Sequence, residues 1–360
     1  MAYYYMWFNK SSWTHSKNDL PMLGAYDSTD KAVIAQQVAW AKAAGVNVFI
    51  ASWKNTPSLD LALSELVAEC HRQGLRLVLI YEGLDVNRNP IPATRVGADI
   101  SWFLNQYGSD PVFDVFGKPA VIWSGTWKFS GADIATVRAQ VGAPSRLLLL
   151  GSETSAAGYQ ARAPQFDGDA YYWSSGDPIA TPGYQRRLTD LGHAVHAAGG
   201  LWLAPVTAGF DGTLNGGSMA VDRRDGETLT QAWTAAMATG PDGLAVISWN
   251  EYTESSYIEP SESYGYRYLQ VLSGLDGASP AAIPTVPPRS PSASATQPAS
   301  PTARVSPAPA AGSPNFGAPL GSSGSGFDTW ASLLVAVIVL GGLGMLALTM
   351  RRRSAGPADD

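Results

Sequence analysis

The stretch Ala245-Val246-Ile247-Ser248-Trp249-Asn250-Glu251-Tyr252-Thr253-Glu254-Ser255-Ser256-Tyr257-Ile258-Glu259-Pro260 begins as an apolar run and ends in polar, acidic and aromatic residues. Residues 245–249 are mostly β-branched or aromatic, as in a parallel strand buried on both faces. Asn250 breaks that run just before two carboxylates three positions apart. The whole reads as a strand that delivers chemistry at its C-terminal end. If the chain turns helically there, side chains at i and i+3 stand roughly 5–6 Å apart on one face. Two carboxyls cooperate on one glycosidic bond at roughly 5–5.5 Å, which makes Glu251 and Glu254 the candidate catalytic pair. Glu pairs on loops are most often simply solvated. What argues against that here is the setting: a strand end, Trp249 and Asn250 beside it, Tyr252 and Tyr257 nearby, and Pro260 closing the segment.

Outward from this strand, apolar runs of strand length recur at 3–8, 46–52, 75–81, 119–123, 146–151, 169–173 and 201–206, with 244–249 as the eighth. Helical patterns fill the gaps near 30–44, 58–73, 94–107, 131–140, 155–162, 182–197, 226–239 and 262–274. Ser28 or Thr29 is placed to cap the first helix, while Gly45 and Gly74 stand where a helix C-terminus favours a left-handed residue. The alternation predicts an α/β fold, a (β/α)8 TIM barrel, over residues 1–276. A segment of about 275 residues suits it.

In such a barrel the site lies where the C-terminal strand ends meet, so the residues at or just past each run are the candidates. They are Trp7, Asn9, Ser52, Trp53, Tyr81, Glu82, Trp123, Glu153, Tyr172, Trp173, Asn250, Glu251 and Glu254. Aromatic faces stack on the C–H faces of sugar rings, and carboxylates and amides bond hydroxyls. Trp7, Asn9, Trp53, Tyr81, Glu82, Trp123, Trp173, Asn250 and Tyr252 are therefore the candidate contacts to a polysaccharide or oligosaccharide. For any one ring, core packing is an equal reading; a shared rim is what argues for a cleft.

Composition narrows the alternatives. The 360 residues are 45% hydrophobic with a net charge of -6, enough for a large core and without the basic excess that nucleic acid requires. Only 15% are charged, yet there are 12 Trp and 15 Tyr, more rings than a modest core needs. Cys70 is alone, forms no internal disulfide, and suits a small buried position. His193 and His196, three apart on a helix, lack the Cys or acidic companions of a metal site, so no metal is expected. Gly212, Gly216 and Gly217 lack the strand-turn-helix setting of a phosphate cradle, and no cofactor is expected. Arg186-Arg187 and Arg223-Arg224 read as surface ion pairs, the second pair being also placed to line the cleft.

Beyond the barrel, residues 277–326 are Pro, Ser, Ala, Thr and Gly with few large apolar side chains, a composition that predicts a disordered stalk. Residues 327–350 then carry the apolar run Trp330 to Met350, long enough at 1.5 Å per residue to cross a bilayer core of roughly 30 Å. Arg351-Arg352-Arg353 follow, which predicts that the tail 351–360 is cytoplasmic and the barrel extracytoplasmic, held at the cell membrane by one pass through the lipid bilayer. The expected first strand, Tyr3 to Phe8, starts almost at once after Met1, with no signal-peptide pattern. Outward placement therefore expects a leader upstream of the given start; a tail-anchored protein is the alternative. A monomer is expected.

The segments Leu23-Gly24-Ala25-Tyr26-Asp27-Ser28-Thr29-Asp30 and Ala41 to Trp53, with Ser248-Trp249-Asn250-Glu251-Tyr252-Thr253-Glu254 and Ile258-Glu259-Pro260, resemble glycoside hydrolase family 99, the endo-α-mannosidase and endo-α-mannanase group. The resemblance covers most of residues 3–272. It implies a (β/α)8 barrel, no metal, and cleavage inside an α-mannoside chain with retention. It also implies that Glu251 takes the proton of the sugar's 2-hydroxyl, giving a 1,2-anhydro intermediate, and that Glu254 is the acid/base at the glycosidic oxygen. Glu254 would then need a raised pKa. The departures are Thr253 where the family has His, Ser255 where it has Gly, Gly83 after Glu82 where it has Pro, and Phe210 where it has Tyr. The block Trp249 to Ile258 is similar also to glycoside hydrolase family 71, the α-1,3-glucanases. A carbohydrate-binding barrel without turnover, or a surface protein whose barrel spaces the stalk, are the readings from other classes.

Overall fold

A computed structural model describes residues 1–277, apart from Ser16 and Val86, together with Ile283. Strands β1 (Ala2–Tyr5), β2 (Val48–Trp53), β3 (Arg76–Glu82), β4 (Ala120–Ser124), β5 (Leu148–Leu150), β6 (Gly168–Ala170) and β7 (Leu201–Thr207) alternate with helices α1 (Lys31–Ala43), α2 (Pro57–Gln73), α3 (Ala93–Tyr107), α4 (Gly131–Val141), α5 (Ala156–Arg162) and α6 (Tyr184–Ala197). A two-stranded hairpin, β8 (Phe210–Asp211) and β9 (Ala220–Val221), interrupts the pattern before α7 (Glu227–Met237), β10 (Gly243–Ile247) and α8 (Arg267–Leu275). All eight expected strands and all eight expected helices are present; the hairpin is additional.

The eight long-range strands run parallel in the order β5-β4-β3-β2-β1-β10-β7-β6. The ring is nearly closed by ladder pairing. Between β5 and β6 it is completed by the single parallel bridge Gly151 to Asp169 and by main-chain bonds from Asp167 to Leu149 (2.8 Å) and from Gly151 to Gly168 (3.0 Å). The three-residue lengths of β5 and β6 explain the thin seam, since short strands present few ladder groups.

Helix ends follow local chemistry. Asp30, not Ser28 or Thr29, caps α1, its carboxylate accepting the N–H of Ala32 and Val33. The two hydroxyls are otherwise engaged: Ser28 accepts the Phe8 N–H at 3.1 Å, and Thr29 donates to Asp27 at 2.6 Å. Gly45 and Gly74 do take the left-handed conformation, at φ 84° and 76°. Cys70 is buried and free.

Side-chain alternation along the strands divides the rings. Tyr4 turns outward, stacking on Phe49 at 4.6 Å and donating to Gln37 of α1 at 2.6 Å. Tyr3 and Tyr5, one position either side, turn inward to Tyr172, through a ring contact at 5.0 Å and a hydroxyl bond at 2.8 Å. Trp40, Trp53, Trp123, Trp202 and Trp249 are fully buried. The core therefore absorbs much of the aromatic content. Among the described residues no helix is long and apolar enough to cross a membrane. The expected stalk, membrane span and tail, apart from Gly277 and Ile283, lie outside the described residues.

Candidate active site

β10 ends at Ile247, and the chain then folds into a compact turn instead of the helical turn the spacing suggested. Ser256 N–H returns to Glu251 O (3.2 Å), Ser248 N–H to Ser256 O (2.8 Å), and Ile258 N–H to Ser248 O (2.9 Å). Ser255 takes φ 50°, a left-handed backbone that side-chain-bearing residues rarely adopt. The turn carries both candidate acids at the C-terminal end of the strand. Glu251 and Glu254 are 2% and 1% exposed.

Their surroundings differ. One carboxylate oxygen of Glu251, Oε1, accepts the Thr253 N–H at 2.9 Å and the Thr253 hydroxyl. Neither oxygen of Glu254 accepts a hydrogen bond from any described residue. Burial pushes the Glu251 carboxyl up to about 7; the Thr253 bonds and the Lys17 ammonium pull it down, and Glu82 adds to the rise. Burial, and then the neighbouring Glu251, push Glu254 well above the ordinary carboxylate range, against the pull of Arg88. An ionised carboxylate here would be dry and without donors, so the protonated form is favoured.

The inward faces of the other strands complete the site. Glu82, at the end of β3, accepts the Ser52 hydroxyl at 2.9 Å and is pushed up by burial against the pull of Lys54. Tyr5 and Tyr172 are joined through their hydroxyls and both feel the charges of Glu251 and Glu254. Trp7 packs on Tyr5 at 4.4 Å and remains partly exposed. Lys17 anchors on the Ser12 carbonyl at 2.8 Å and Lys54 on the Leu84 carbonyl at 2.7 Å. Three carboxylates and three cations, Lys17, Lys54 and Arg88, thus share one neighbourhood.

Of the residues expected from the sequence, the structure brings Glu251, Glu254, Glu82, Ser52, Tyr172 and Trp7 together. It turns others away. Register pairs Trp53 with Tyr81 and Tyr81 with Trp123, so the three share one face of the sheet, opposite to Ser52 and Glu82. Trp53 stacks on Trp102 of α3 and donates to Asp60 of α2 at 2.9 Å; Tyr81 donates to Asp99 of α3 at 2.8 Å; Trp123 packs on Phe129. These are helix-layer residues, and the expectation that they face a ligand is corrected. Their position at strand ends is right, but their parity is wrong. Trp173 is sandwiched between Tyr171 and Tyr184 with Arg187 above it, against α6.

Asn9 caps a short 3-10 helix, Lys10–Thr14, accepting from Ser11 and Ser12. Asn250 is fully buried and clamps β1: it accepts the Tyr5 N–H at 2.8 Å and donates to the Tyr5 carbonyl at 2.9 Å. Tyr252 lies buried between Tyr257 (4.0 Å) and Trp13 (5.5 Å). These two support the acid turn from behind. Glu153 pairs with Arg162 of α5 at 3.1 Å. Phe210, where a hydroxyl is missing, is buried against Val221 inside the hairpin. Tyr5, Lys17, Lys54 and Arg88 are additions the sequence reading missed. Tyr5 was findable, because it shares the parity of Tyr3 and Trp7; the cations sit in loops, where periodicity carries no signal. Among the described residues no group of three or more His, Cys, Asp or Glu is arranged to hold a metal.

No family model and no curated sequence matches the chain. Solved structures do match it in fold. The endo-alpha-mannosidase of glycoside hydrolase family 99 from Bacteroides thetaiotaomicron, in complex with bis-tris propane, aligns with a TM-score of 0.67 and 20% identity over 77% of this chain and 95% of its own. A second structure of that enzyme aligns with a TM-score of 0.66 at 19% identity, over 77% and 96%. A glycoside hydrolase-like protein follows at 0.59 and 15% identity, over 76% and 92%.

Proposed function

We propose that this protein is a glycoside hydrolase that cuts internal α-linkages of a mannan-like polymer with retention, using Glu251 and Glu254. The observation that carries the reading is the buried acid turn at the mouth of the barrel, with one carboxyl hydrogen-bonded by Thr253 and the other held without a donor. Two acids in one site whose surroundings push them apart is how acid and base roles are divided. The likeness in fold to a family 99 endo-alpha-mannosidase supports it.

Glu251, whose carboxylate is held by the Thr253 N–H and hydroxyl and faced by Lys17, is the base. It takes the proton of the substrate's 2-hydroxyl while that oxygen attacks the anomeric carbon. Glu254, buried without a donor beside Glu251 and so kept protonated, gives its proton to the departing glycosidic oxygen. Water then attacks the anomeric carbon, passing a proton to Glu254, and the 2-oxygen recovers its proton from Glu251. Trp7 and Tyr172 are the partly exposed rings that would face the sugar, with Glu82 and Lys17 reaching its hydroxyls. Two ionisations should bound the rate: it rises with pH as Glu251 ionises, with a midpoint at about 7, and falls when Glu254 loses its proton at higher pH.

The test is hydrolysis of α-mannans and α-glucans by the full chain, with product anomers followed by NMR. Retained anomer from α-mannan is expected. Cleavage of α-1,3-glucan alone would move the substrate to the family 71 type, and an inverted anomer or no hydrolysis of either would overturn the reading. The membrane-anchored, outward orientation is proposed from the C-terminal sequence. Protease treatment of intact cells should release the barrel, and an untouched barrel would refute it.

A further inference from the structure

The hairpin β8–β9 and the residues flanking it hold the acid turn from outside. Asp211 N–H donates to the Glu254 carbonyl at 2.7 Å, and the Asn215 amide donates to the Thr253 carbonyl. Arg223, just past β9, donates from Nη2 to the carbonyls of Ser255 (2.7 Å) and Tyr257 (2.9 Å). Three consecutive carbonyls, 253 to 255, are thus each gripped by this one segment. Asn18 adds a bond to the Ser255 hydroxyl at 3.0 Å.

Arg223 is the unusual member. It is only 7% exposed and forms no salt bridge among the described residues. Instead its guanidinium stands 4.5, 4.9 and 4.5 Å from the ring centres of Tyr257, Tyr264 and Tyr268. A buried cation is costly, and an apolar side chain would fill the same space at lower cost. What the guanidinium supplies is a rigid, flat face for the rings that holds one nitrogen, Nη2, where it donates to both carbonyls. One of the carbonyls it grips belongs to the left-handed Ser255 itself, next to Glu254, and the other to Tyr257 two residues on.

We propose that Arg223 is a positioning residue for Glu254, locking the turn so that the acid stays dry and correctly aimed. The proposal rests on the reading of Glu254 as the acid/base. It corrects the expectation of a surface ion pair for Arg223. Of Arg223 and Arg224, it is Arg224 that forms an ion pair, with Asp177 at 2.7 Å.

The test is the Arg223→Lys variant of the full chain: both carbonyl bonds come from the one nitrogen Nη2, and the lysine ammonium, which keeps a charge in the aromatic cage, ends short of that position and lacks the flat face that fixes it against the rings. On an activated α-glycoside, kcat should fall roughly ten- to hundred-fold with KM within about twofold of wild type. The Glu254 carboxyl, followed by NMR in glutamate-labelled protein and assigned with Glu254→Gln, should titrate closer to the ordinary carboxylate range, because a loosened turn admits water. Tyr264→Ala removes the most exposed wall of the cage, a residue 39% exposed, and leaves both carbonyl bonds in place. It should move both readouts the same way by less, and it stands in if the first variant does not fold. A folded Arg223→Lys protein with unchanged kcat and Glu254 titration overturns the proposal, as does an unfolded one paired with an unaltered Tyr264→Ala. The NMR arm needs no turnover. A wild type that cleaves nothing, while Arg223→Lys still moves the Glu254 titration, sinks the hydrolase reading and supports the brace.

Discussion

Two pairs of buried carboxylates lie in this barrel, and they differ in what meets them. Glu153 and Asp169 stand at the seam between β5 and β6: Asp169 accepts the Glu153 N–H at 2.8 Å, and Glu153 takes Arg162 from α5 at 3.1 Å. They tie together the two strands with the thinnest ladder. Glu251 and Glu254 instead sit on a turn beyond β10, where Glu254 accepts nothing and the neighbours include Tyr5, Tyr172, Lys17 and Glu82. Burial raises the pKa of all four. A raised pKa therefore does not by itself mark a catalytic acid. What separates the pairs is Glu254: Glu153, Asp169 and Glu251 each hold a donor on one carboxylate oxygen, and Glu254 holds one on neither among the described residues.

The comparison breaks most easily at the acids themselves. Glu254→Gln and Glu251→Gln should each lower kcat by roughly 10²–10⁴-fold with little loss of thermal stability, because the amide keeps the shape, can neither give nor take the proton, and brings no charge into the buried turn. A loss of the same size in Glu153→Gln, measured on the same substrate, would erase the distinction.

A third carboxylate sharpens the contrast through pH. Glu259 accepts Gln37 at 2.6 Å and Tyr26 at 3.1 Å, and burial pushes it up to about 8 from an ordinary 4.5. Between those values the unfolded chain has released the proton and the folded chain retains it, so unfolding releases a proton. The contribution is fully present below pH 4.5 and is lost as pH rises through about 8. Glu259→Gln mimics the protonated form and should be the more stable protein at pH 8 by up to about 4 kcal/mol, with no advantage at pH 4. Parallel stability curves for the two proteins would refute this.

Next in size is the seam. Arg162→Met leaves Glu153 buried without its cation and should cost about 3 kcal/mol in denaturant unfolding, with kcat unchanged. An intact stability would mean that the ion pair does not hold the seam.

The smallest effect is expected at Ser255, which holds φ 50° where the resembled family has Gly. Ser255→Gly relieves the left-handed strain but loses the bond from Asn18. The net change should be a gain of under about 1 kcal/mol. A clear destabilisation would show that the hydroxyl matters more than the strain.

The eight strands and eight helices were legible because each is a local pattern: period-2 or continuous apolar runs for strands, period-3.6 faces for helices, glycines at helix ends. The acid pair was legible for a related reason, since the last strand and its carboxylates are contiguous in the chain. The substrate-facing rings were only half legible. Trp53, Tyr81 and Trp123 end their strands as expected, yet one residue decides between barrel mouth and helix layer, and continuous apolar runs such as Leu77 to Tyr81 carry no polar alternation to reveal it. The capping of α1 by Asp30 was hidden because Ser28 and Thr29 are engaged by partners near and far.

The amino-acid sequence by itself determined the order and kind of the elements, the strand that carries Glu251 and Glu254, and the composition that bounds the barrel, because short-range periodicity and residue type suffice for these. Only the tertiary structure decided which face each strand-end residue takes, that Lys17, Lys54 and Arg88 meet the acids, and that Arg223 is enclosed by tyrosines while gripping their turn. Those outcomes depend on side chains more than 30 positions apart being brought within a few ångströms, as Arg223 and Ser255 are, and no local pattern encodes that proximity.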